Sequence, residues 1–408
     1  MSHEFLNFIL AIAIIIVAAK AAGYVTTRLG QPSVLGELLA GLILGPTALD
    51  MLNAWPVFSH DESLSHSITM MAELGVILLM MLAGLELHLS ELLSSGKVAA
   101  LSGTLGVIVP LILGWGIGRY FGSSNVEAIF IGLALSATSV SISAQTLMEL
   151  NVLRSRVGLA LLGAAVFDDI LVILLLSVTT ILVSDSGGGI MGIAVTVMRM
   201  VGYIGGASLI GIWIIPRLAT YVNRLPISQG LLAFSLVAAL IFAWAAEVVG
   251  GMAAITGAFM LGLFLARTPY HTRIENGVSA LAYGFFVPIF FVNIGLLVNM
   301  RGISGGAWWF AVILTIAAIA GKILGCGFGA MMGGFNRLDS LRLGIGMVSR
   351  GEVGLIVAAF AIGQGLFSPD AFSIVVFMVI IATLVTPPML RAAYSTKSSP
   401  DSAAQPSG

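Results

Sequence analysis

Apolar residues along this chain come in long, nearly unbroken stretches, and polar residues are confined to the short joints between them. A helix needs about 20 mostly apolar residues to cross the hydrocarbon core of a bilayer. With that ruler the pattern predicts thirteen spans, near 5–25, 33–49, 70–87, 98–121, 126–150, 157–183, 190–215, 229–247, 250–266, 278–299, 306–333, 341–365 and 369–392. The second and ninth are short. Two spans carry a polar interruption in mid-helix: Ser136-Ala-Thr-Ser-Val-Ser-Ile-Ser143 in the fifth and Ser349-Arg-Gly-Glu-Val-Gly354 in the twelfth. If the seventh span, 190–215, is set apart as a linker, both interruptions fall fifth in a set of six. Matched breaks of this kind predict an all-α polytopic membrane protein. Its two inverted repeats, about 5–183 and 229–392, would carry discontinuous crossing helices near mid-membrane.

Composition agrees. Hydrophobic residues make up 58% of the 408 and charged residues 9%, against about 25% charged in soluble proteins. The 49 glycines and 18 methionines fit a helical bundle, where small residues let backbones approach and thioethers fill gaps. A net charge of -1 offers no basic surface for nucleic acid. The single cysteine, Cys326, excludes an internal disulfide or a thiolate metal cluster and reads as a small core hydrophobe. No cofactor is called for. His3 and Glu4 precede the first apolar stretch, so the N-terminus lacks the basic region of a removable signal peptide. Residues 1–394 thus form one transmembrane domain. The Ser/Pro/Ala-rich segment 395–408 is too polar to bury and is expected to be a disordered tail.

Lys and Arg are distributed unevenly. Twelve fall on the side that follows the odd-numbered spans, among them Arg154, Arg156, Arg217, Arg224, Arg267 and Arg273, and only Arg119 and Arg301 on the other. Cytoplasmic loops carry such an excess. The chain is therefore expected in the inner membrane with its N-terminus outside and its C-terminus in the cytoplasm.

Carboxylates at membrane depth are costly and mark pathways or paired networks. The strongest case is Asp168–Asp169, in the middle of the sixth span. Neighbouring helix positions differ by about 100 degrees, so the two carboxyls cannot share one orientation and their roles should differ. In a low-dielectric cavity the charged form is costly, and a second carboxylate next door adds to the cost. Such a pair can hold a proton when empty and release it when a cation arrives. Lys322, mid-span in the eleventh helix, needs a carboxylate partner, and Asp168 and Asp169 are the midplane candidates. The lysine is either part of the coupling or a structural counter-ion. Arg350 and Glu352 occupy the break of the twelfth span, where they either neutralise each other or cap half-helix ends. Thr138 and Ser139, in the fifth-span break, offer oxygens to a hard monovalent cation, or else are hydroxyls that pack helices.

Other polar groups carry less. Glu37, Glu73, Glu86 and Glu247 lie nearer span ends, where contact with headgroups or water, or the lining of an access funnel, explains them. His60, Asp61, Glu62 and His66 lack the spacing of a metal site and read as a solvated loop.

Seven motifs in order carry a resemblance over nearly the whole chain: Gln31-Pro-Ser-Val-Leu-Gly-Glu-Leu-Leu-Ala-Gly-Leu-Ile-Leu-Gly-Pro46, Ala83-Gly-Leu-Glu86, Ala137-Thr-Ser-Val-Ser141, Phe167-Asp-Asp169, Phe285-Phe-Val-Pro-Ile-Phe-Phe-Val-Asn-Ile-Gly295, Gly321-Lys322 and Gly346-Met-Val-Ser-Arg-Gly-Glu-Val-Gly354. In these the chain resembles the second superfamily of monovalent cation:proton antiporters, which includes bacterial sodium/proton exchangers and the membrane halves of potassium-efflux systems. The resemblance implies a homodimer in lipid, with a rigid dimerisation part and a mobile core, exchanging sodium or potassium for protons electrogenically. It makes Asp169 the principal cation ligand, Asp168 the second carboxylate with Lys322 as its partner, and Thr138 a helper. No nucleotide-binding domain follows the thirteenth span, so gating by nucleotide or glutathione adduct is not expected. Sodium versus potassium stays open.

Two other classes compete. An intramembrane aspartyl protease needs carboxylates on facing helices, not at adjacent positions of one helix, and no Gly-x-Gly-Asp occurs. A channel fits a midplane pair opposed by a lysine less well than bind-and-release does. A sodium-coupled symporter of similar architecture is the remaining alternative.

Overall fold

Among the described residues the apolar stretches fold as helix, because in hydrocarbon every backbone N–H and C=O must find its partner within its own segment. The computed structural model describes residues 3–59, 62–85, 96–183, 189–297, 308–350, 354, 357, 358, 361, 362 and 364–395. In chain order the helices are α1 (His3–Arg28), α2 (Ser33–Leu44), α3 (Met51–Ala54), α4 (Glu62–Leu85), α5 (Gly96–Tyr120), α6 (Asn125–Ser136), α7 (Val140–Glu149), α8 (Arg156–Val183) and α9 (Gly189–Trp213). They continue as α10 (Ile215–Arg224), α11 (Gly230–Val248), α12 (Ala254–Leu265), α13 (His271–Leu281), α14 (Val287–Leu296), α15 (Trp308–Met332), α16 (Arg337–Gly346) and α17 (Pro369–Ser395). There is no strand among the described residues.

Among the described residues, ten helical segments are long and apolar enough to cross a membrane. At about 1.5 Å per residue the twelve-residue α2 and α12 reach about 18 Å, short of a hydrocarbon core of about 30 Å. Several helices outrun the apolar stretch that marks them. The third predicted span begins at Glu62 rather than 70, and the tenth at His271 rather than 278, because backbone hydrogen bonding continues through their polar first turns. Pro288, in the first turn of α14, has no N–H to donate. The helix answers with a π turn over Ala282–Phe286, in which the Val287 N–H reaches the Ala282 carbonyl.

Both predicted interruptions are breaks. α6 ends at Ser136 and α7 begins at Val140, with Ala137–Ser139 outside helix. α16 ends at Gly346, Met347–Arg350 follow in non-helical backbone, and helix is present again at Gly354, Val357 and Ala358. The short helices pack in a swapped arrangement, α2 on α14 and α4 on α12. Glycines make each crossing. A Cβ on Gly41 would fall on the Val292 carbonyl, and one on Gly295 on the Gly41 backbone. In the other crossing, a Cβ on Gly262 would meet Met81 and Gly84, and one on Gly84 would meet Phe259 and Gly262. The same glycine-on-glycine contact is thus made twice by corresponding elements, second on tenth and third on ninth, as two repeats related by a two-fold require.

Candidate functional site

The site lies where the two broken helices cross. The Ser139 N–H donates to the Ser349 carbonyl at 2.9 Å, and the Ser349 hydroxyl donates back to the Ser139 carbonyl at 2.5 Å. Ser143 joins them, with its hydroxyl 2.5 Å from the Gly346 carbonyl and 3.0 Å from the Ser349 hydroxyl. The serine-rich run of the fifth span therefore ties one break to the other. The Ser139 hydroxyl is shared with Ser141 at 2.9 Å. Arg350, fully buried, donates to the Ala137 carbonyl at 3.0 Å and to the Ala318 carbonyl of α15 at 2.8 Å. It caps the end of α6 with a positive charge and pins α15 to the crossing. Glu352 lies outside the described residues, as do Glu86, His60 and Asp61.

Asp168 and Asp169 sit at the middle of the 28-residue α8. Both are buried, at 1% and 7% exposure. Their environments differ as their helix positions demand. The Lys322 ammonium of α15, itself 0% exposed, lies 2.6 Å from Oδ1 of Asp168. The other Asp168 oxygen, Oδ2, has no hydrogen-bond partner. Lys322 reaches Asp168 past α5, which is packed between α15 and α8. Gly106 of α5 makes this possible: a Cβ there would strike the Cys326 sulfur and come to 3.7 Å from Nζ of Lys322. The hydroxyl of Thr138, in the first break, faces the Asp168 carboxyl but makes no hydrogen bond of normal geometry.

Asp169 turns to another neighbourhood. With Met80 of α4, Val140 of α7, Leu162 of α8, and Ile255, Thr256 and Phe259 of α12, it lines a cavity of about 10 Å³, room for one water-sized sphere. One wall of this cavity belongs to α8 and the first turn of α7. The opposite wall belongs to the swapped pair α4 and α12. The arrangement is one neutralised carboxylate backed by a buried lysine, and beside it a second carboxylate at a small cavity between two packing units.

Residues that sequence reasoning placed at span ends divide. Glu73 and Glu247 are exposed. Glu37 is not: at 5% exposure it is buried against α1, where Gly23 leaves room for it, and Lys20 comes with it at 3.2 Å. Glu149, at the end of α7, had drawn no attention. Its carboxylate accepts from the Ser33 N–H and hydroxyl, both at 2.6 Å, and from the Gln145 amide at 2.8 Å. Thr256 was missed as well, since one threonine in an apolar run carries no signal of its own.

A multi-pass helical membrane protein with two broken helices crossing at a buried carboxylate pair belongs to the class of secondary transporters. Residues 11–394 match the family model described as "Sodium/hydrogen exchanger, transmembrane", and the chain belongs to that family. It is 39% identical to the Na(+)/H(+)-K(+) antiporter GerN of Bacillus cereus, over 96% of this chain and 97% of that one. It is 35% identical to a Na(+)/H(+) antiporter of Enterococcus hirae, over 96% and 99%. Its fold resembles the sodium proton antiporter MjNhaP1 of Methanocaldococcus jannaschii, with a TM-score of 0.67 at 16% identity, covering 96% of this chain and 99% of that one.

Proposed function

We propose that this protein is a secondary antiporter that exchanges sodium or potassium for protons by alternating access, with Asp168 and Asp169 as the shared binding site. The observation that carries the reading is the division of labour in that pair: Asp168 is held by Lys322, and Asp169 lines the cavity between the two packing units. The names of the relatives, as Na(+)/H(+) and Na(+)/H(+)-K(+) antiporters, point the same way.

In this reading Asp169 takes a proton when no cation is bound and loses it when one arrives, because a low-dielectric cavity does not favour a bare carboxylate. The cation is held by Asp169, with help from the free oxygen of Asp168 and the hydroxyl of Thr138. When Asp168 turns to the cation its bond to Lys322 weakens, and the lysine enters the coupling. One proton leaves Asp169 and a second leaves Lys322 when its ion pair with Asp168 opens, so two protons exchange for one monovalent cation and the exchange moves net charge. Arg350, with Glu352 on the same break, keeps the crossing neutral and capped, and Ser139 serves mainly through its backbone.

The mobile core comprises the broken helices with α5, α8, α15 and α17. The scaffold is built from the swapped short helices and makes the homodimer. Halves 5–183 and 229–392 are inverted about the linker 190–215. The N-terminus is outside and the C-terminal tail, 395–408, is cytoplasmic; the lopsided Lys and Arg support this orientation.

The test is transport in proteoliposomes holding a pH dye, under an inward-acidic gradient, with sodium, potassium or lithium added outside. Proton movement driven by one of these ions, and lost in both Asp169→Asn and Asp168→Asn, is the expected result. An organic solute that moves with sodium, in vesicles where no ion drives protons, would instead establish the symporter reading.

A further inference from the structure

Threonines buried in membrane helices normally spend their hydroxyl on the carbonyl one turn back. Thr146, Thr179, Thr315 and Thr386 all do so here, donating to the carbonyl four residues earlier at 2.7–2.8 Å. Two buried threonine hydroxyls have no hydrogen-bond partner among the described residues, Thr138 and Thr256. Both sit where a helix is interrupted or begins. Thr138 lies inside the first break, and Thr256 is the third residue of α12, so the turn that would hold its acceptor is missing. Both also stand by a carboxylate: Thr138 faces Asp168, and Thr256 lines the same cavity as Asp169 from the opposite wall.

Burying a hydroxyl without a partner is costly, and a site that keeps one has another use for it. We propose that Thr256 is a ligand of the transported cation, supplying an oxygen from α12 to an ion held by Asp169 on α8. The inference rests on the antiport reading above. Hard monovalent cations take oxygen ligands in place of their water, and a space of about 10 Å³ admits an ion only without most of its hydration shell. Replacement oxygens must then come from the walls. Met80, Leu162, Ala165, Val166, Ile255 and Phe259 offer no side-chain oxygen, which leaves Asp169 and Thr256 as the lining residues that do.

The placement has a mechanical consequence. Asp169 and Thr256 belong to opposite packing units, so an ion touching both binds tightest when the two units are closed around it. Thr256 is then a contact that couples occupancy to the relative position of core and scaffold.

The experiment compares wild type with Thr256→Val, which keeps shape and removes the oxygen, and Thr256→Ser, which keeps the oxygen. Cation-driven proton movement is measured against sodium and potassium concentration in proteoliposomes, and cation-dependent rises in Tm are measured in detergent. Loss of one ligand hydrogen-bond equivalent should raise the apparent KM of Thr256→Val about fivefold to tenfold, with the cation-dependent Tm rise reduced. Thr256→Ser should lie within about twofold of wild type in KM. A Thr256→Val protein with wild-type KM and a wild-type Tm response overturns the proposal while leaving antiport standing. Should Thr256→Val lower Tm without cation, Thr256→Ala takes its place in the same comparison. A wild type that moves no protons with any ion sinks the antiport reading itself, which the variants do not touch.

Discussion

Ser139 and Ser349, 210 residues apart, bond each other twice in opposite senses, backbone N–H to carbonyl and hydroxyl to carbonyl. Each satisfies a carbonyl that the other's helix has released at its break, so the two breaks support each other. Unsatisfied backbone at membrane depth costs several kcal/mol per group. Ser349→Ala removes the hydroxyl half of this exchange and the contact with Ser143. We expect a loss of about 1–2 kcal/mol, seen as a lower Tm in detergent. An unchanged Tm would show that the Ser139 backbone bond, with Ser143 on Gly346 and Arg350 on Ala137, holds the crossing without the Ser349 hydroxyl.

Lys322 and Asp168 are a fully buried pair, at 0% and 1% exposure and 2.6 Å apart. Removing one member of such a pair costs about 3–5 kcal/mol, since a bare charge is left behind, whereas removing both can be nearly neutral. Lys322→Gln should therefore destabilise the protein strongly, and Lys322→Gln with Asp168→Asn should regain most of the lost Tm. Lys322→Gln should be inactive in antiport if the lysine takes part in coupling, whereas the double variant is inactive in either case because it lacks the Asp168 carboxylate. A double variant no more stable than the single one would mean that Lys322 has a second carboxylate partner.

The boundary between legible and illegible lies at tertiary orientation. Spans are readable because hydrocarbon demands long apolar runs, and the breaks because Thr138, Ser139 and Arg350 are residues that a continuous apolar helix would not carry. Asp168 and Asp169 announce themselves as charges in the middle of α8. Which of the two meets Lys322 depends on the azimuth of α8 relative to α15, and that depends on Gly106 of the intervening α5. No local pattern encodes it. Glu37 lies close enough to a span end to look wet, yet the close approach of α2 to Gly23 of α1 buries it. Thr256 gains its meaning only when α12 is laid against α8.

The two glycine crossings give a paired test. A methyl at Gly41 would press on the Val292 carbonyl and one at Gly262 on the Met81 carbonyl, both backbone atoms that cannot turn aside. Nothing lies within 4 Å of a Cβ at Gly116 on α5. Gly41→Ala and Gly262→Ala should each lower stability by about 1–3 kcal/mol, with similar losses because the contacts correspond. Gly116→Ala should be neutral or slightly stabilising by about 0.5–1 kcal/mol, as alanine favours helix. Thermal unfolding of the three proteins decides the matter, and a neutral Gly41→Ala would mean that α2 and α14 can separate freely.

Glu149 links the broken helix to the short one. It stands at the end of α7, whose first turn adjoins the ion site, and its carboxylate covers the N-terminus of α2 through Ser33. A negative group there satisfies an orphan N–H and the positive end of the helix dipole. α2 is pinned to α14 at Gly41, so Glu149 is a polar tie between α7 and the scaffold proposed above. Glu149→Gln keeps the shape and removes the charge, and should cost about 1–2 kcal/mol of stability. If the tie holds one position of the core against the scaffold, the maximal rate of cation-driven proton movement changes while the apparent cation KM stays within about twofold, because no ligand is touched. A change confined to KM would place Glu149 on the ion path instead.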